Sequence, residues 1–235
     1  MIGMGTIVNT VAVIVGGLLG MLIKGGLKQR YQETLMQALG LATLFIGISG
    51  AMKGMLTIIE NQIETQGTML LIASLVFGAL VGEFFNIEKR LEQLGDWLKR
   101  KVKVKNDSSF VDGFVTSSLV ICVGAMAIVG ALQDGLIGDS SILFAKAILD
   151  FGIVMVFAST LGVGVVFSAI PLFIYQGLIT LFASFLKPFL TELVIANLSF
   201  VGSVLIFAVG INICFGKKIK VGNMLPAMII PFFFH

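Results

Sequence analysis

Long apolar stretches alternate with short polar segments along the whole chain. The hydrocarbon core of a bilayer is ~30 Å thick, and a helix needs about 20 residues to cross it. This pattern predicts an all-α fold: a polytopic transmembrane helix bundle that forms a single transmembrane domain over residues 1–235. The predicted spans lie near residues 3–23, 35–56, 68–85, 114–132, 142–164, 168–187 and 193–215.

The first and last apolar segments differ from the others. Residues 3–23 follow no basic segment and are too long for the apolar region of a signal peptide, so we predict a retained span. Residues 223–235 are apolar but too short to cross a bilayer, and they contain Pro226 and Pro231. We therefore predict a C-terminal segment that is re-entrant or lies at the membrane interface.

Residues 86–105 are rich in charge and interrupt the apolar pattern. Leu91, Leu94 and Leu98 recur at helical spacing and leave a charged opposite face. Trp97, the single tryptophan, lies beside this apolar stripe. The pattern is typical of an amphipathic helix in the headgroup plane, so we predict that residues 86–105 bind anionic lipid at the cytoplasmic face. The alternative is a solvated connector between two spans.

Composition indicates a membrane protein and excludes several kinds of catalytic and metal-binding site. The chain is 57% hydrophobic and 12% charged, with a mean hydropathy of +1.04, whereas soluble domains carry about 25% charged residues. Its single histidine is His235, so mechanisms that need an internal imidazole are excluded. The two cysteines lie in apolar stretches without metal-ligand spacing. We expect no enzyme activity, no cofactor, no metal site and no nucleic-acid partner.

Basic residues are distributed unevenly among the predicted loops. The first loop, the third loop and the segment after the last span contain three, seven and three lysines and arginines, and each of the other loops contains one or none. Because cytoplasmic loops carry an excess of lysine and arginine, these three segments are predicted to be cytoplasmic. The N-terminus is then expected outside.

Glycine pairs spaced four residues apart occur at Gly16/Gly20, Gly50/Gly54 and Gly78/Gly82. Each pair makes a flat helix face, which predicts close helix packing in lipid. Gly-Ala-Met also occurs twice, at residues 50–52 and 124–126. A parallel duplication and chance similarity both remain open as explanations.

Polar residues at membrane depth are the candidate functional residues. Charged groups within hydrocarbon are costly and are usually paired or line a path. They suggest a small secondary transporter or channel-like carrier of an unknown small solute or ion. The alternative is a non-transporting membrane scaffold or regulatory partner in which these polar residues are structural. The candidate pathway residues are Lys146, Asp150, Glu83, Asp134, Asn9, Asn212 and Asn223.

Each candidate also has a simpler explanation. The asparagines can form hydrogen bonds between helices, and Glu83 can reach the nearby membrane interface. Lys146 and Asp150 are four residues apart, on one face of a predicted helix. They form a buried pair if that span begins near Ser141, and they lie in water if it begins after Asp150.

The chain contains several short motifs in a definite order: Gly5-Thr6 with Asn9, Gly82-Glu83, Gln133-Asp134-Gly135, Lys146 with Asp150, Phe167-Ser-Ala-Ile-Pro171 and Asn223-Met-Leu-Pro-Ala227. The chain is similar to the bacterial membrane-protein family catalogued as domain of unknown function 554, and the resemblance covers essentially its whole length. It implies a multi-pass protein of the bacterial cytoplasmic (inner) membrane. The resemblance implies no activity, so no functional residue is carried over from the family. The substrate, the coupling ion and the oligomeric state stay open, and the protein can be a homo-oligomer.

Overall fold

The computed structural model describes residues 2–24, 29–59, 62–101, 109–122 and 125–233, and most of them are helical. This confirms the predicted all-α membrane fold. The elements are α1 (Met4–Lys24), α2 (Gln29–Met55), β1 (Leu56–Ile59), β2 (Gln62–Thr65), α3 (Thr68–Phe85), α4 (Ile87–Lys101), α5 (Phe110–Cys122), α6 (Ala125–Ile137), α7 (Ser141–Leu161), a first 3₁₀ segment (Val163–Ser168), α8 (Ala169–Leu181), α9 (Ala183–Leu186), α10 (Glu192–Phe215), α11 (Val221–Met224) and a second 3₁₀ segment (Leu225–Phe233).

Within the described residues, six helical stretches are long and apolar enough to cross a membrane. They lie in α1, α2, α3, α7, the first 3₁₀ segment with α8, and α10. The bent pair α5–α6 brings the number to seven if it is one span. Large apolar side chains such as Phe45, Phe77 and Ile148 are mostly exposed on these helices, as expected for surfaces that face lipid.

Two predicted segments have a different shape in the structure. A continuous span was expected over residues 114–132, but α5 and α6 form two helices bent by 62° relative to each other. The polar segment after α2 was expected to be a loop, but β1 and β2 pair antiparallel, with Ile58 opposite Ile63. Both isoleucines are exposed, and β-branched residues suit a short hairpin.

Three other predicted features have counterparts. Two separate spans were predicted over residues 142–164 and 168–187, and α7 ends where Gly162 adopts a left-handed φ of 84°, which an L side chain would adopt only with strain. The helix predicted over residues 86–105 is α4; residues 102–105 lie outside the described part of the chain. Val221–Phe233 is a shorter apolar helical segment, in the region predicted to be re-entrant or interfacial.

The chain forms two compact units, each with its own core. The first unit comprises Met1–Leu39, Leu91–Cys122 and Met126–Pro188, and the second comprises Gly40–Arg90, Val123–Ala125 and Phe189–His235. In the first, α1 lies along α7 and also contacts α8. In the second, α3 contacts α11 and the second 3₁₀ segment, around the buried residues Leu70, Phe200, Val201 and Ala227.

The glycine pairs allow close helix packing, as predicted. A Cβ on Gly16 or Gly20 would overlap the backbone carbonyl oxygens of Phe151 and Met155 in α7. The pairs in α2 and α3 meet atoms of the second unit in the same way: Gly50 and Gly54 meet Ser203 and Phe200, and Gly78 and Gly82 meet Ala227 and Asn223. In lipid, such close approach supplies the contacts that hold helices together.

Candidate functional site

Lys146 and Asp150 form an ion pair in the first unit, one turn apart on α7. The Lys146 Nζ atom lies 2.5 Å from Asp150 Oδ2, and the two residues are only 6% and 3% exposed. The helix begins at Ser141, so Asp150 lies about nine residues in, ~14 Å along the axis. This depth is close to the middle of a ~30 Å hydrocarbon core. The helix thus begins at Ser141 and buries both side chains, and the depth of the pair in the membrane stays a prediction.

The Lys146 ammonium also donates a hydrogen bond to a main-chain carbonyl of α5. Its Nζ lies 2.8 Å from the Ile121 oxygen, one residue before α5 ends at Cys122. The last carbonyls of a helix have no partner within the helix, and the helix dipole places partial negative charge there. The break between α5 and α6 thus provides the second oxygen that holds the buried ammonium.

Two amide side chains complete the site from α1 and α8. Asn9 Nδ2 donates to Asp150 Oδ2 at 3.0 Å and to Gln176 Oε1 at 3.3 Å. Both amides are completely buried. Asn9 Oδ1 and Gln176 Nε2 have no hydrogen-bond partner within the described part of the chain. An acceptor and a donor therefore remain free beside the ion pair, although a buried unpaired polar atom usually costs about 1–3 kcal/mol.

A second group of polar contacts links α1, α6 and α8. Thr6 Oγ1 lies 3.4 Å from Thr180 Oγ1, which donates to the Ala131 carbonyl at 3.2 Å. Asp134 of α6 accepts from the Gly5 N–H at 3.2 Å and from the Ser140 hydroxyl at 2.9 Å. Polar side chains thus occur on α1 both at Thr6 and, about one turn further, at Asn9.

Charge balance explains why the pair is tolerated inside an apolar helix. An isolated buried charge would cost several kcal/mol, but a direct pair with further hydrogen bonds offsets much of this penalty. Removing either partner would leave the other unpaired in a low-dielectric environment. The pair is therefore stable only as a unit, and a change in the charge of Asp150 changes the environment of Lys146.

Glu83 and Asn223 belong to a separate polar cluster in the second unit. Glu83, near the end of α3, accepts from Lys220 Nζ at 2.8 Å and from Asn223 Nδ2 at 2.6 Å. Asn223 Oδ1 accepts from the Glu88 N–H at 2.7 Å. The side chains of Lys220 and Glu83 are 64% and 57% exposed, and the hydrogen bond from Lys220 to Glu83 raises the pKa of Lys220. Glu83 thus takes part in an exposed ion pair, and its position at the membrane interface stays a prediction.

Asn212 has a local structural role in the same unit. Its Nδ2 donates to the Ile219 carbonyl at 2.7 Å, and its Oδ1 accepts from the backbone N–H groups of Lys218 and Ile219. These bonds hold the loop between α10 and α11. An open cavity of about 390 Å³ beside this loop is lined by Ala79, Glu83, Lys218, Ile219, Lys220, Asn223 and Met224.

The structure thus divides the seven candidate residues into four settings. Asn9, Lys146 and Asp150 meet in one site; Asp134 holds the start of α1; Glu83 and Asn223 share a cluster; and Asn212 holds a loop. The candidate residues named from the sequence do not include Gln176 or the Ile121 carbonyl. A main-chain carbonyl has no sequence signal. Gln176, a polar residue at the centre of an apolar stretch, could have been added to the candidate residues. Within the described residues, no group of three or more His, Cys, Asp or Glu side chains is placed to hold a metal.

The apolar spans and the buried polar site define the class: a polytopic helical membrane protein. The chain belongs to the family described as protein of unknown function (DUF554), whose profile matches residues 4–235. It is 35% identical over 227 residues to uncharacterized membrane protein YdfK of Bacillus subtilis, covering 97% of this chain and 93% of that protein. It is 33% identical over 230 residues to uncharacterized protein YqgA of Escherichia coli, covering 96% and 93%. No solved structure matches it.

Proposed function

We propose that the chain is a small secondary transporter or channel-like carrier of the bacterial inner membrane, without enzyme activity. The observation that carries the proposal is the buried site of Lys146, Asp150, Asn9 and Gln176. It lies about midway along a candidate span, and two of its amide atoms have no partner among the described residues. Intramembrane ionisable residues that pair with one another commonly mark substrate or ion pathways.

The interrupted helix beside the site supports the same function. Carriers commonly bind solutes and ions near the bilayer midplane, where helices are broken and end groups of the backbone are free to bind ligands. Here the Ile121 carbonyl at the end of α5 takes part in the site. Protonation of Asp150, or an anion bound to Lys146, would weaken the pair and release the partner for a second arrangement. Two arrangements with different solute affinities are the minimum that coupled transport requires.

Orientation follows from the basic segments. The C-terminal end of α4 carries Lys99, Arg100 and Lys101, and the loop after α10 carries Lys217, Lys218 and Lys220. We place both segments in the cytoplasm and the N-terminus outside. In this orientation α4 lies on the anionic cytoplasmic leaflet.

Thermal unfolding of the purified full-length protein in a solute panel tests the carrier function. The panel contains inorganic anions, monocarboxylates and amino acids, each tested alone. A carrier should be stabilised by a chemically related group of solutes, because a ligand that binds the folded state raises its unfolding temperature. Asp150→Asn should remove this stabilisation. Asp139→Asn changes an exposed carboxylate outside the spans and should keep it.

The scaffold alternative predicts a different result. A protein in which the polar residues only join helices should respond to no solute group, while both variants remain folded. Uptake of the stabilising solute into proteoliposomes then separates a carrier from a protein that binds without transport. Uptake that is equal in the wild type and Asp150→Asn would remove the buried site from the mechanism.

A further inference from the structure

The Lys146 ammonium occupies a position with the chemistry of a monovalent-cation site. Its two hydrogen-bond acceptors are oxygens, one from the Asp150 carboxylate and one from the Ile121 main chain. Carbonyl groups at the ends of interrupted helices are the groups that coordinate Na⁺ in many transporters. A carboxylate adds the formal negative charge that a hard cation prefers.

Other oxygen atoms of the site lie nearby. Asn9 donates to the same Asp150 oxygen that binds Lys146, and Asn9 Oδ1 is buried without a partner in the described residues. Gln176 Oε1 accepts a long hydrogen bond of 3.3 Å from Asn9. A carboxylate, a main-chain carbonyl and two amide oxygens thus come from α7, α5, α1 and α8.

We propose that Lys146 takes the place of a coupling cation, so that the carrier works without Na⁺ or K⁺ and a proton on Asp150 is its coupling ion. This inference rests on the proposed function. A tethered ammonium neutralises Asp150 and holds α5 against α7, as a bound cation would. Protonation of Asp150 removes the carboxylate charge, while the hydrogen bond from Lys146 to the Ile121 carbonyl does not depend on that carboxylate. The groups that face Asp150 are Lys146, Asn9 and the thiol of Cys122, which lies within electrostatic range.

Removing the ammonium should convert the site into one that binds a free cation. In Lys146→Ala, the Asp150 carboxylate and the Ile121 carbonyl remain and the position of the ammonium becomes open. Thermal unfolding of the purified full-length variant is measured in equal concentrations of NaCl, LiCl, KCl and choline chloride. We expect at least one alkali cation to raise the unfolding midpoint of the variant by several degrees over choline, with saturation. The wild type should have the same midpoint in all four salts.

Two control variants identify the source of the effect. Lys146→Ala combined with Asp150→Asn lacks the carboxylate and should show no difference between alkali cations and choline. Lys187→Ala removes an exposed lysine and should behave as the wild type does. Lys146→Ser is a second small variant, since its hydroxyl leaves space for a cation and adds an oxygen.

Three results would overturn the proposal. In the first, Na⁺ or K⁺ selectively stabilises the wild type. In the second, the Lys146→Ala protein folds, but no alkali cation changes its unfolding midpoint. In the third, neither Lys146→Ala nor Lys146→Ser folds in any of the four salts. The measurement uses no transported solute, so it gives a result even if the solute panel finds no ligand. In that case the carrier function and the coupling role fail, while the cation result still decides whether Lys146 replaces a cation.

Discussion

Asp134 is a completely buried carboxylate that accepts hydrogen bonds from neutral groups, the Gly5 N–H and the Ser140 hydroxyl. These bonds join the start of α1 to the end of α6, which gives Asp134 a structural role. Asp150, in contrast, accepts from a cation and an amide. Two buried acidic residues in the same unit thus have different partners: Asp134 accepts from neutral groups that join two segments, and Asp150 forms an ion pair.

Replacing Asp134 should destabilise the protein. Asp134→Ala leaves the Gly5 N–H and the Ser140 hydroxyl without an acceptor, and a buried unsatisfied donor costs about 1–3 kcal/mol. The unfolding midpoint of the purified protein should therefore fall clearly. Asp139→Ala is the matched control, because that carboxylate is exposed and accepts from its near neighbour Ser141. Equal midpoints for the two variants would contradict the structural role of Asp134.

At the residue scale, part of the site could be predicted from the sequence. The spacing of Lys146 and Asp150 places them on one helix face, and the apolar residues around them require a partner for each charge. The addition of Asn9 and Gln176 depends on how α1 and α8 pack against α7, which a single sequence does not specify. The Ile121 carbonyl became a partner only because α5 ends there.

Among the helices, α1 and α7 depend most directly on glycine. A Cβ on Gly20 would overlap the Met155 carbonyl oxygen and lie 2.9 Å from the Ala158 Cβ, whereas nothing lies within 4 Å of the corresponding position at Gly152. Gly20→Ala should therefore lower the unfolding midpoint. Gly152→Ala should leave it unchanged or raise it, since alanine favours a helix by up to about 1 kcal/mol over glycine. A midpoint that stays unchanged in Gly20→Ala would show that the helices separate without loss of stability.

The position of the amphipathic helix α4 relative to the membrane can be tested by the fluorescence of its single tryptophan, Trp97. Leu94 and Trp97 are exposed, and Lys101 Nζ lies 4.9 Å from the centre of the Trp97 ring. If this face lies in the headgroup region, brominated lipids should quench Trp97 fluorescence of the protein in nanodiscs. Tighter association with anionic than with neutral lipid should increase the quenching, and salt should reduce that increase.

The connector interpretation of α4 predicts the opposite fluorescence result. Trp97 would then be quenched by aqueous acrylamide in either lipid and not by brominated chains. Because the chain has one tryptophan, no second signal obscures the comparison. Replacing Lys99, Arg100 and Lys101 by glutamine should remove the dependence on lipid charge and leave the fold unchanged.

At the scale of elements, hydropathy predicts whole spans better than interruptions within them. The bounds of α3 match the predicted span 68–85, because polar or glycine-rich segments end it on both sides. The break between α5 and α6 lies within continuous apolar sequence, so hydropathy contains no signal for it. The hairpin was missed because a short polar segment with scattered isoleucines does not distinguish a loop from two short strands.

For the whole molecule, the most informative measurement is the membrane side of the residues before and after the bent pair α5–α6. If the pair crosses the membrane once, residues 101 and 139 lie on opposite sides. If it is re-entrant, they lie on the same side. Lys101→Cys and Asp139→Cys, each in a background with Cys122 and Cys214 changed to serine, can be labelled on intact cells with an impermeant maleimide. We expect labelling at position 139 and none at position 101, since the proposed orientation places the basic segment in the cytoplasm.

The class of the whole molecule could be predicted from composition, but its division into two units could not. Apolar content and span length require a membrane protein whatever the helix order. The units combine distant segments: the first joins α1 to α7 and α8, and the second joins α3 to the second 3₁₀ segment. These helix pairings depend on which helix packs against each glycine face, and this cannot be read from one sequence. The prediction of one domain over residues 1–235 stays a prediction.

The packing of α3 also has a consequence for the biogenesis of the protein. Its glycine face at Gly78 and Gly82 is covered by residues 223–227, and Glu83 bonds to Asn223, which follows it by 140 residues. During synthesis, α3 therefore enters the membrane long before its partner exists. Until residues 221–233 arrive, this face must be covered by lipid or by the insertion machinery. Substitutions that prevent residues 221–233 from packing should consequently leave α3 inserted in the membrane but without its partner. The new protein would then be exposed to membrane quality-control proteases.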